Sequence, residues 1–473
     1  MAVNRFTRFW LLGTLASHFH VSLILAVLPA SINGWRRWRR RARASFWTSE
    51  APSNTLGETP ITPILGVPRE IQRNWAQYSP YFPVEDYRSP PKGCAVTQVN
   101  ILQRHGARFP TSGAAKRIVV ALEKLQSVEE FTDPRLNFLK TFTYALGEDD
   151  LIAFGVAQSF DAGREAFERY SQLVSLDNLP FVRASSSERV VFSAMNWTQG
   201  FATASRNKFS PKLSVILDEA ANDTLDDAMC PSSGSSDEQT SEWLATYAPP
   251  ITARLNSGAP NANLTDVDTF NLISLCPFET VFNEKDSPFC HLFAAEENAF
   301  SGFEYSGDLD KYYGTGYGQD LGPIQGVGYI NELLARLTGT SVRDNTQTNR
   351  TLDSSPTTFP LNRTIYADFS HDNQMIAIYA AMGLFRQENA LDPTSPSPRR
   401  NWRASRLVPF SARMVVERLQ CGSETSVRIL VNDALQPLEF CDGKDGVCSL
   451  DAFVQSQTYA RNDGEGDFER CFI

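Results

Sequence analysis

Residues 101–110 read "ILQRHGARFP", and this stretch decides how the rest of the chain is interpreted. It continues an apolar, β-branched run that begins at Cys94, so a strand is predicted to end near Arg104 and His105. Ligands of open α/β sheets bind beyond the carboxyl ends of strands, which makes this the place for a site. Because the chain has only five histidines, His105 between two arginines is a candidate catalytic group.

The residues around His105 suit phosphate chemistry. Arg104 and Arg108 present planar, charged donors that can fork onto phosphate oxygens, and Gly106 leaves room for backbone to approach a ligand. An imidazole between them can attack phosphorus and become a phosphohistidine, which splits one hard displacement into two. Taken alone, the motif is equally compatible with a strand-end histidine beside two solvated arginines.

A second motif has the same setting. The stretch "YADFSHDN", residues 366–373, places His371 and Asp372 just beyond another predicted strand. His371 can donate to a phosphate, and Asp372 can protonate the departing oxygen if its surroundings keep it protonated. Arg183 in "FVRASSSER" is a third candidate at a strand end, whereas His291, beside Cys290, is predicted to be structural or exposed.

Other hydrolytic and nucleotide-binding motifs are missing from the sequence. It contains no HExxH pattern, no zinc-type His/Cys spacing and no G-x-S-x-G turn, and its glycine-rich "YYGTGYGQDLG" lacks the P-loop lysine. We therefore expect no metal and no cofactor. The formal net charge is -10, and eight arginines before Thr48 leave the remainder at -18, which argues against a nucleic-acid partner.

The N-terminal region is interpreted as a targeting segment. Arg5 and Arg8 precede an uncharged, largely apolar stretch at 9–32, which is followed by "GWRRWRRRARA" at 34–44. Residues 1–48 are predicted to be a signal with a pro-segment cut in the arginine-rich run, or alternatively an uncleaved membrane anchor. The Pro-, Thr- and Ser-rich residues 49–70 are predicted to be a linker.

The body of the chain is predicted to be secreted. Eight cysteines without any CxxC pair favour four disulfides in an oxidising compartment, with 105 pairings open. Five N-x-S/T sequons favour glycosylation. These sequons are at Asn196, Asn222, Asn263, Asn349 and Asn362.

The order of patterns along the chain predicts an α/β fold. Strand patterns occur near both ends, helical patterns dominate the middle, and residues 205–300 are predicted to be irregular. Such an order is typical of an α/β sheet domain interrupted by a mainly helical insertion. The predicted limits are 71–125 and 318–473 for the α/β domain and 126–317 for the insertion.

The two site motifs carry a family resemblance. RHGARFPT together with SHD resembles the signature pair of the histidine acid phosphatases, in the phosphoglycerate-mutase-like superfamily. The body from Gln72 to Cys471 is similar to the fungal phytases, and segments such as "GPIQGVGYINELLARLT" and "YARNDGEGDFERCF" look most like basidiomycete 6-phytases. The fold that this implies is a phosphoglycerate-mutase-like α/β domain with a helical domain over the site.

The resemblance also implies roles for single residues. His105 matches the family's phosphate-accepting nucleophile and Asp372 its proton donor. The remaining matches are substrate contacts: Arg104, Arg108, Arg183, His371, Thr111, Gln77, Tyr78, Asp226 and Lys311. In "LDKYYG", Asp310 replaces the first of two lysines found in ascomycete phytases, which leaves part of the outer substrate contact open. The implied disulfides are Cys94–Cys421, Cys230–Cys471, Cys276–Cys290 and Cys441–Cys448.

Together these patterns predict a secreted phytase that hydrolyses phosphate monoesters of myo-inositol hexakisphosphate at acidic pH. The first alternative is a broad-specificity acid phosphatase with the same chemistry. The second, from another class, is a non-catalytic glycoprotein that binds inositol phosphates.

Overall fold

The computed structural model describes residues 60–473, so the predicted leader and most of the predicted linker lie outside the described residues. Eight strands form one sheet. They are β1 Cys94–Arg104, β2 Phe181–Ser185, β3 Leu213–Leu217, β4 Ile365–Ser370, β5 Arg413–Cys421, β6 Glu424–Val431, β7 Ala434–Leu435 and β8 Val447–Ser449. Their order is β3-β2-β4-β1-β5-β6-β7, with β8 beside β6.

The sheet has a parallel half and an antiparallel half that meet at β1. Strands β3, β2, β4 and β1 run parallel, whereas β5 pairs antiparallel with β1 on its other side. The inner strands are buried on both faces, as expected for apolar, β-branched strands covered by helices. Arg104 is opposite Ser370 in the register, so β1 and β4 end at the same level.

Helices cover the sheet and fill the middle of the chain. They are α1 Arg69–Gln72, α2 Ser112–Gln126, α3 Ala153–Tyr170, α4 Glu188–Ala204, α5 Asp237–Tyr247, α6 Pro249–Gly258, α7 Asp266–Asn283, α8 Pro288–Ala294, α9 Ala299–Gly314, α10 Val327–Thr338, α11 Arg350–Asp353, α12 Asp372–Met382, α13 Ala404–Leu407, α14 Leu450–Ser456, α15 Thr458–Arg461 and α16 Asp467–Arg470. The fold class predicted from the sequence is confirmed as a mixed α/β sheet with many helices.

Helices α3 and α4 pack closely against each other on one face of the sheet. A Cβ on Gly163 would lie 2.0 Å from the Trp197 carbonyl oxygen, and one on Gly200 would lie 1.9 Å from that of Phe160. A core cluster that includes Val99, Trp197 and Phe201 fills the space between this helix pair and the sheet. A larger cluster lies among the remaining helices.

The prediction of irregular structure at 205–300 is wrong. This range contains β3 and the helices α5, α6, α7 and α8. Prolines that look like breakers in the sequence stand at helix starts, such as Pro249 and Pro288, where the missing N–H costs nothing. Thr265 and Asp268 form a capping box at the start of α7, a local signal that the sequence does carry.

The range predicted to be a helical insertion also contains strands. Strands β2 and β3 lie within 126–317 and belong to the sheet, so the sheet extends into the range assigned to the helical part. The stretch that consists of helices alone is shorter, from α5 to α9 at 237–314. The division into a sheet part and a helical insertion stays a prediction, with this narrower range.

The end of the predicted linker packs against the body. Leu65 and Val67 are 3% and 6% exposed and belong to the larger core cluster. The backbone N–H of Thr62 donates to Asp161 of α3 at 2.7 Å. The prediction of a linker is therefore wrong from about Thr62 onward, because the apolar side chains of Leu65 and Val67 are buried in the core.

All four implied disulfides are present, joining Cys94–Cys421, Cys230–Cys471, Cys276–Cys290 and Cys441–Cys448. The first links neighbouring strands, because its two cysteines are opposite each other in the β1–β5 register. His291 is exposed, as predicted, and contacts Asp286 at 2.8 Å. Among residues 60–473, no helix combines the length and the apolar character needed to cross a membrane.

Candidate active site

The two site motifs of the sequence meet at the ends of β1 and β4. Arg104 is the last residue of β1, and His371 directly follows β4 as the N-cap of α12. The backbone N–H of His105 donates to the Ser370 carbonyl at 3.1 Å. The His105 and His371 rings are 5.6 Å apart between centroids, with the T-shaped arrangement of an edge contact. The parallel pairing of β1 with β4 therefore brings together motifs separated by more than 260 residues.

The ring of His105 is fixed and neutral. Its Nδ1 lies 2.8 Å from the Gly106 carbonyl oxygen. Since a carbonyl only accepts, Nδ1 carries the proton and Nε2 keeps its lone pair. Burial holds the pKa of His105 well below its usual range, and Arg104 and Arg108 lower it further. The imidazole is thus a nucleophile that needs no deprotonation.

Close backbone packing holds the loop that carries His105. A Cβ on Gly106 would lie 2.2 Å from the Gly155 carbonyl oxygen, and a Cβ on Gly155 would lie 2.1 Å from that of Ala107. The amide of Ala107 donates to Gln158 at 2.9 Å, one turn further along α3. The first turns of α3 therefore fix the backbone beside the nucleophile.

Arg104 is fully buried and held on one side by carbonyl groups. Its Nη1 donates to the carbonyls of Gln77 and, at 2.6 Å, Val408. Its guanidinium lies 4.8 Å from the Phe410 ring centroid. Its Nε has no hydrogen-bond partner, and its Nη2 lies 3.3 Å from Asp372 without forming a hydrogen bond, so donors remain for a ligand. Burial lowers the pKa of Arg104 to about 10, and the group stays cationic at acidic pH.

Asp372 is the first residue of α12 and lies among cations. Its Oδ2 is 3.3 Å from Nη2 of Arg104 and 3.0 Å from Nζ of Lys311. Burial alone would raise the pKa of the Asp372 carboxyl, but Arg104, Lys311 and Arg108 outweigh it and hold the pKa well below its usual range. Without ligand, the candidate proton donor is therefore a carboxylate.

Lys311 lies at the site, as the resemblance implies. Its Nζ contacts Asp372 and, at 3.0 Å, Asp310, and it donates to Asn373 at 2.6 Å. The side chain is only 5% exposed. Lys311 is thus part of the network around the candidate proton donor as well as a candidate substrate contact.

The structure does not place Arg183 in the site. This residue lies inside β2, where it is opposite Asp368 in the register. Its guanidinium is paired with Glu332 at 2.5 Å and with Asp368 at 2.8 Å, and it is 1% exposed. The prediction of a phosphate contact is wrong, because the side chain points into a buried ion network with Arg336 instead of beyond the strand end.

Arg189 occupies the position for which Arg183 was predicted. It is the second residue of α4, and its Nη2 lies 3.4 Å from Nδ1 of His371. Its charge also contributes to lowering the pKa of His105. The sequence did contain the signal, since "FVRASSSER" holds two arginines. A helix start just beyond a strand end is as good a place for a phosphate contact as the strand.

Glu219 is a further site residue that sequence reasoning missed. Its Oε1 accepts from His371 Nε2 at 3.0 Å, from the Ser185 hydroxyl at 2.7 Å and from the Ser187 amide at 2.9 Å. Burial opposes ionisation, but these donors lower the pKa of Glu219 to about 2. Glu219 follows β3. It was missed because β3 lies in the range predicted to be irregular, so no strand end was expected there.

Asp226 also lies beside His371, as the resemblance implies. Its Oδ1 is 3.7 Å from Nε2 of His371, and burial raises the pKa of its carboxyl. Ligand atoms of Glu219, Asp226 and His371 lie within 4.8 Å of one another, the one such three-residue group found between residues 60 and 473. The two carboxyl groups therefore lie on one side of the His371 ring, both near its Nε2.

The other predicted substrate contacts lie at the rim of the site or in the structure that surrounds it. Gln77 and Tyr78 line a cavity of about 300 Å³ together with Arg117 and Asp310. Tyr78 packs against Phe278, with ring centroids 4.6 Å apart. The Thr111 hydroxyl accepts a hydrogen bond from the Ala114 amide and caps α2, so in this structure it stabilises the start of the helix. Arg108 is 8% exposed, and its Nε has no partner.

The fold and this geometry agree with a comparison to known families. Residues 95–432 match the family described as histidine phosphatase superfamily (branch 2). The chain belongs to this superfamily. Its match spans β1, with the nucleophile loop, through β6, so both site motifs fall inside the histidine phosphatase region.

Several proteins are similar to this histidine phosphatase over most of their length. "Phytase A" from Aspergillus fumigatus is 41% identical over an alignment of 423 residues that covers 84% of this chain and 90% of the relative. "Phytase A" from Neurospora crassa is 38% identical over an alignment of 474 positions that covers 85% of this chain and 92% of the relative. The chain therefore spans nearly the whole of both relatives.

Solved structures share the fold. The phytase from D. castellii superimposes with a TM-score of 0.70 at 23% identity, covering 83% of this chain and 86% of that one. The multiple inositol polyphosphate phosphatase from Bifidobacterium longum, in complex with inositol hexasulfate, gives a TM-score of 0.57 at 15% identity, covering 80% and 96%. At these identities the likeness is one of fold.

Proposed function

We propose that this chain is a phytase, a histidine acid phosphatase that removes phosphate groups from myo-inositol hexakisphosphate through a phosphohistidine at acidic pH. One observation carries the chemistry: a neutral imidazole at His105, with its Nδ1 bonded to a carbonyl, lies among arginines and beside a carboxyl. The relatives named Phytase A, at about 40% identity over most of the chain, support the substrate.

In the first step, Nε2 of His105 attacks the phosphorus atom, and the phosphorus–oxygen bond to the inositol breaks. The electron pair of that bond goes to the departing oxygen, which takes a proton from the Asp372 carboxyl. Arg104, Arg108 and Arg189 stabilise the charge on the transferring group, which is the larger part of catalysis in phosphoryl transfer. His371, held by Glu219 through Nε2, lies against the same oxygens.

The proton on Asp372 has to arrive with the substrate. In the ligand-free site, the surrounding cations keep this carboxyl ionised. A bound phosphate brings negative charge to the same cations and so raises the pKa of Asp372. At acidic pH a phosphate monoester is a monoanion, and its own proton can pass to the carboxylate within the site. This requirement accounts for an acidic working range.

In the second step, water attacks the phosphohistidine. Asp372, now a carboxylate, accepts the proton from the water as the oxygen–phosphorus bond forms. The phosphorus–nitrogen bond breaks, its electron pair returns to Nε2 of His105, and inorganic phosphate leaves. Asp372 is protonated at the end of this step and returns to a carboxylate when its proton leaves with the phosphate. The same residue therefore acts as acid and then as base.

The experiment compares initial rates on phytate and on p-nitrophenyl phosphate with the purified full chain. A phytase is expected to prefer phytate in kcat/KM by about tenfold or more, whereas equal preference would support the broad-specificity phosphatase. His105→Ala is expected to abolish turnover of both substrates. Binding of phytate by the wild type without any turnover would support the non-catalytic inositol-phosphate-binding protein.

The position of first attack is proposed from the sequence resemblance. The segments most like basidiomycete 6-phytases favour removal of the 6-phosphate first. Chromatography of the inositol pentakisphosphate formed after brief digestion tests this, and a product lacking another phosphate would contradict it. The result does not affect the phosphohistidine chemistry.

Secretion and N-glycosylation are also proposed. Four disulfides with no free cysteine among the described residues favour an oxidising compartment. Asn222, Asn263 and Asn362 are exposed, and Asn196 and Asn349 are half-buried. Mass analysis of the protein from culture medium, before and after glycosidase treatment, tests both points. A protein found only inside cells and without glycans would contradict them.

A further inference from the structure

Asp310 precedes Lys311 in the chain, and the structure pairs the two side chains. Its Oδ2 lies 3.0 Å from Nζ of Lys311. The same Nζ lies 3.0 Å from Oδ2 of Asp372. One ammonium is therefore shared by two carboxylates, of which only Asp372 faces the reacting group.

The position of Asp310 is held from its other side. Its Oδ1 accepts from the Ser236 hydroxyl at 3.0 Å, so both carboxylate oxygens have partners. The Asp310 side chain is 41% exposed at the rim, whereas Lys311 is 5% exposed beneath it. Asp310 therefore covers a buried cation and holds it from the solvent side.

We propose that Asp310 is a positioning residue that shares the Lys311 ammonium with Asp372 and thereby sets the pH range in which Asp372 carries a proton to the leaving group. A positive charge favours the carboxylate form of its neighbour, and a second carboxylate on the same cation weakens that preference. Removing Asp310 leaves the full charge of Lys311 to Asp372. The inference rests on the proposed phosphatase chemistry.

Other charges around Asp372 set the background for this effect. Arg104 comes from the end of β1, Arg108 from the loop after it and Arg189 from α4, and Asp227 from the segment after β3 adds a further carboxyl. His105 is neutral, and His371 is the residue directly before Asp372 in the chain. A substitution of Asp310 leaves all of these side chains in the protein. A difference in pH profile between the variants therefore reports the ammonium group that Asp310 shares with Asp372.

The experiment measures kcat against pH on β-glycerophosphate. This substrate is a small alkyl ester whose leaving group needs a proton, and it carries no further phosphates that reach the rim. In Asp310→Asn, Asp372 is expected to lose its proton at lower pH. The basic limb of the profile then moves down by about 0.5–1 pH unit, and kcat above the optimum falls several-fold. Asp310→Lys is expected to move it further in the same direction.

Two controls separate this effect from others. Asp237→Asn removes a carboxylate of the same rim cavity that does not contact Lys311, and its basic limb is expected to stay in place. On p-nitrophenyl phosphate, whose leaving group departs without a proton, the basic limb of Asp310→Asn is expected to move less. A loss of folding would instead lower the rate equally at every pH on both substrates.

The possible results are distinguishable. A basic limb that is unmoved in Asp310→Asn on β-glycerophosphate overturns the inference while leaving the proposed function intact. An equal movement in Asp237→Asn also overturns it, because the effect would then come from rim charge in general. A wild type without activity on any phosphate monoester contradicts the proposed function itself.

Discussion

At the scale of single residues, the site separates two tasks between His105 and Asp372. The imidazole is kept neutral by burial and by the arginines beside it, so it attacks as a free base even at acidic pH. The same arginines make Asp372 a strong acid. The two groups therefore become complementary only when a phosphate enters and offsets the cations.

Replacement of Asp372 by asparagine should discriminate between leaving groups. Asp372→Asn keeps the shape but cannot protonate an alkoxide, so kcat on phytate is expected to fall by about 10²–10⁴-fold. The fall on p-nitrophenyl phosphate should be much smaller in the first, phosphorylating step. Single-turnover rates with both substrates measure this, and equal losses in that step would contradict the assigned role.

Arg189 and Arg183 offer a second test, because they are six residues apart and lie in different surroundings. Arg189→Gln removes a donor near His371, and kcat/KM is expected to fall by about 10²–10³-fold, a loss typical of one stabilising donor. Its thermal unfolding should stay close to that of the wild type. Steady-state kinetics and calorimetry on the same preparation measure both quantities.

The matched variant Arg183→Gln should behave in the opposite way. It leaves Glu332 and Asp368 as buried carboxylates with fewer cations, which costs about 3–5 kcal/mol of unfolding free energy. The kcat of the folded fraction should remain near that of the wild type. A loss of kcat in Arg183→Gln without destabilisation would return this residue to the site.

The same pair of arginines shows what the sequence can predict about the site. His105, Arg104, Arg108, His371 and Asp372 could be found because each is within two residues of a recognisable strand end or follows it in a short motif. The choice between Arg183 and Arg189 depends on which way a side chain leaves its strand. That direction is set by Asp368 and Glu332, which are distant in sequence.

At the scale of elements, the short helix α11 carries a carboxyl with unusual titration. Asp353, its last residue, has an Oδ2 that is buried without a hydrogen-bond donor. Burial raises the pKa of Asp353 to about 8, and the nearby Glu332 adds to this. A proton on Asp353 would supply the donor that the arrangement lacks.

The stability of the protein should therefore depend on Asp353 in a defined pH window. The folded state keeps a proton that the unfolded chain loses near pH 3.8, so this contribution is complete below about pH 4 and is lost as the pH rises towards 8. Asp353→Asn mimics the protonated carboxyl and should be more stable than the wild type at pH 7 by about 2 kcal/mol. The two should be similar at pH 4.

Denaturant unfolding at several pH values measures this difference. Asp320→Asn is a suitable control, because the Asp320 side chain is 87% exposed, and its unfolding curve should follow the wild type throughout. A wild type and an Asp353→Asn variant with parallel pH dependence would contradict the assignment.

Elements were predictable where one strong pattern covered them. The strands β1, β4, β5 and β6 and the helices α2, α3 and α4 each follow a continuous apolar pattern along their length. The helices from α5 to α8 were missed because prolines and polar caps mark their starts, and the same residues mark turns. Strand β3 was missed because it has five residues and alternating exposure.

At the scale of the whole molecule, the disulfides tie distant parts of the chain to one sheet. Cys94–Cys421 spans 327 residues and joins β1 to β5, whereas Cys441–Cys448 spans seven. The entropy that a cross-link removes from the unfolded chain rises with the length of the closed loop. The two bridges should therefore contribute unequally to stability.

Removing each bridge in turn tests this expectation. Cys94→Ser with Cys421→Ser should lower the unfolding free energy by about 5 kcal/mol, and Cys441→Ser with Cys448→Ser by about 2 kcal/mol. Calorimetry under non-reducing conditions provides the comparison. Equal losses, or a larger loss for the short loop, would contradict an origin in the unfolded chain.

The architecture as a whole was predictable in class but not in boundary. Strands at both ends and helices between them indicated an interrupted α/β sheet. Sequence order, however, does not reveal that β2 and β3 join β4 at the parallel edge, since pairing is decided by which strands share a buried face. The predicted insertion therefore included part of the sheet.

The contact between Gly106 and Gly155 limits how such an enzyme can be altered. The atoms in the way of a side chain at either position belong to the main chain, so no repacking of neighbours can make space for even a methyl group. A library that randomises both codons should return glycine at each position among active clones. Gly106 and Gly155, which fix the backbone beside the nucleophile, should therefore not be targets when the enzyme is engineered.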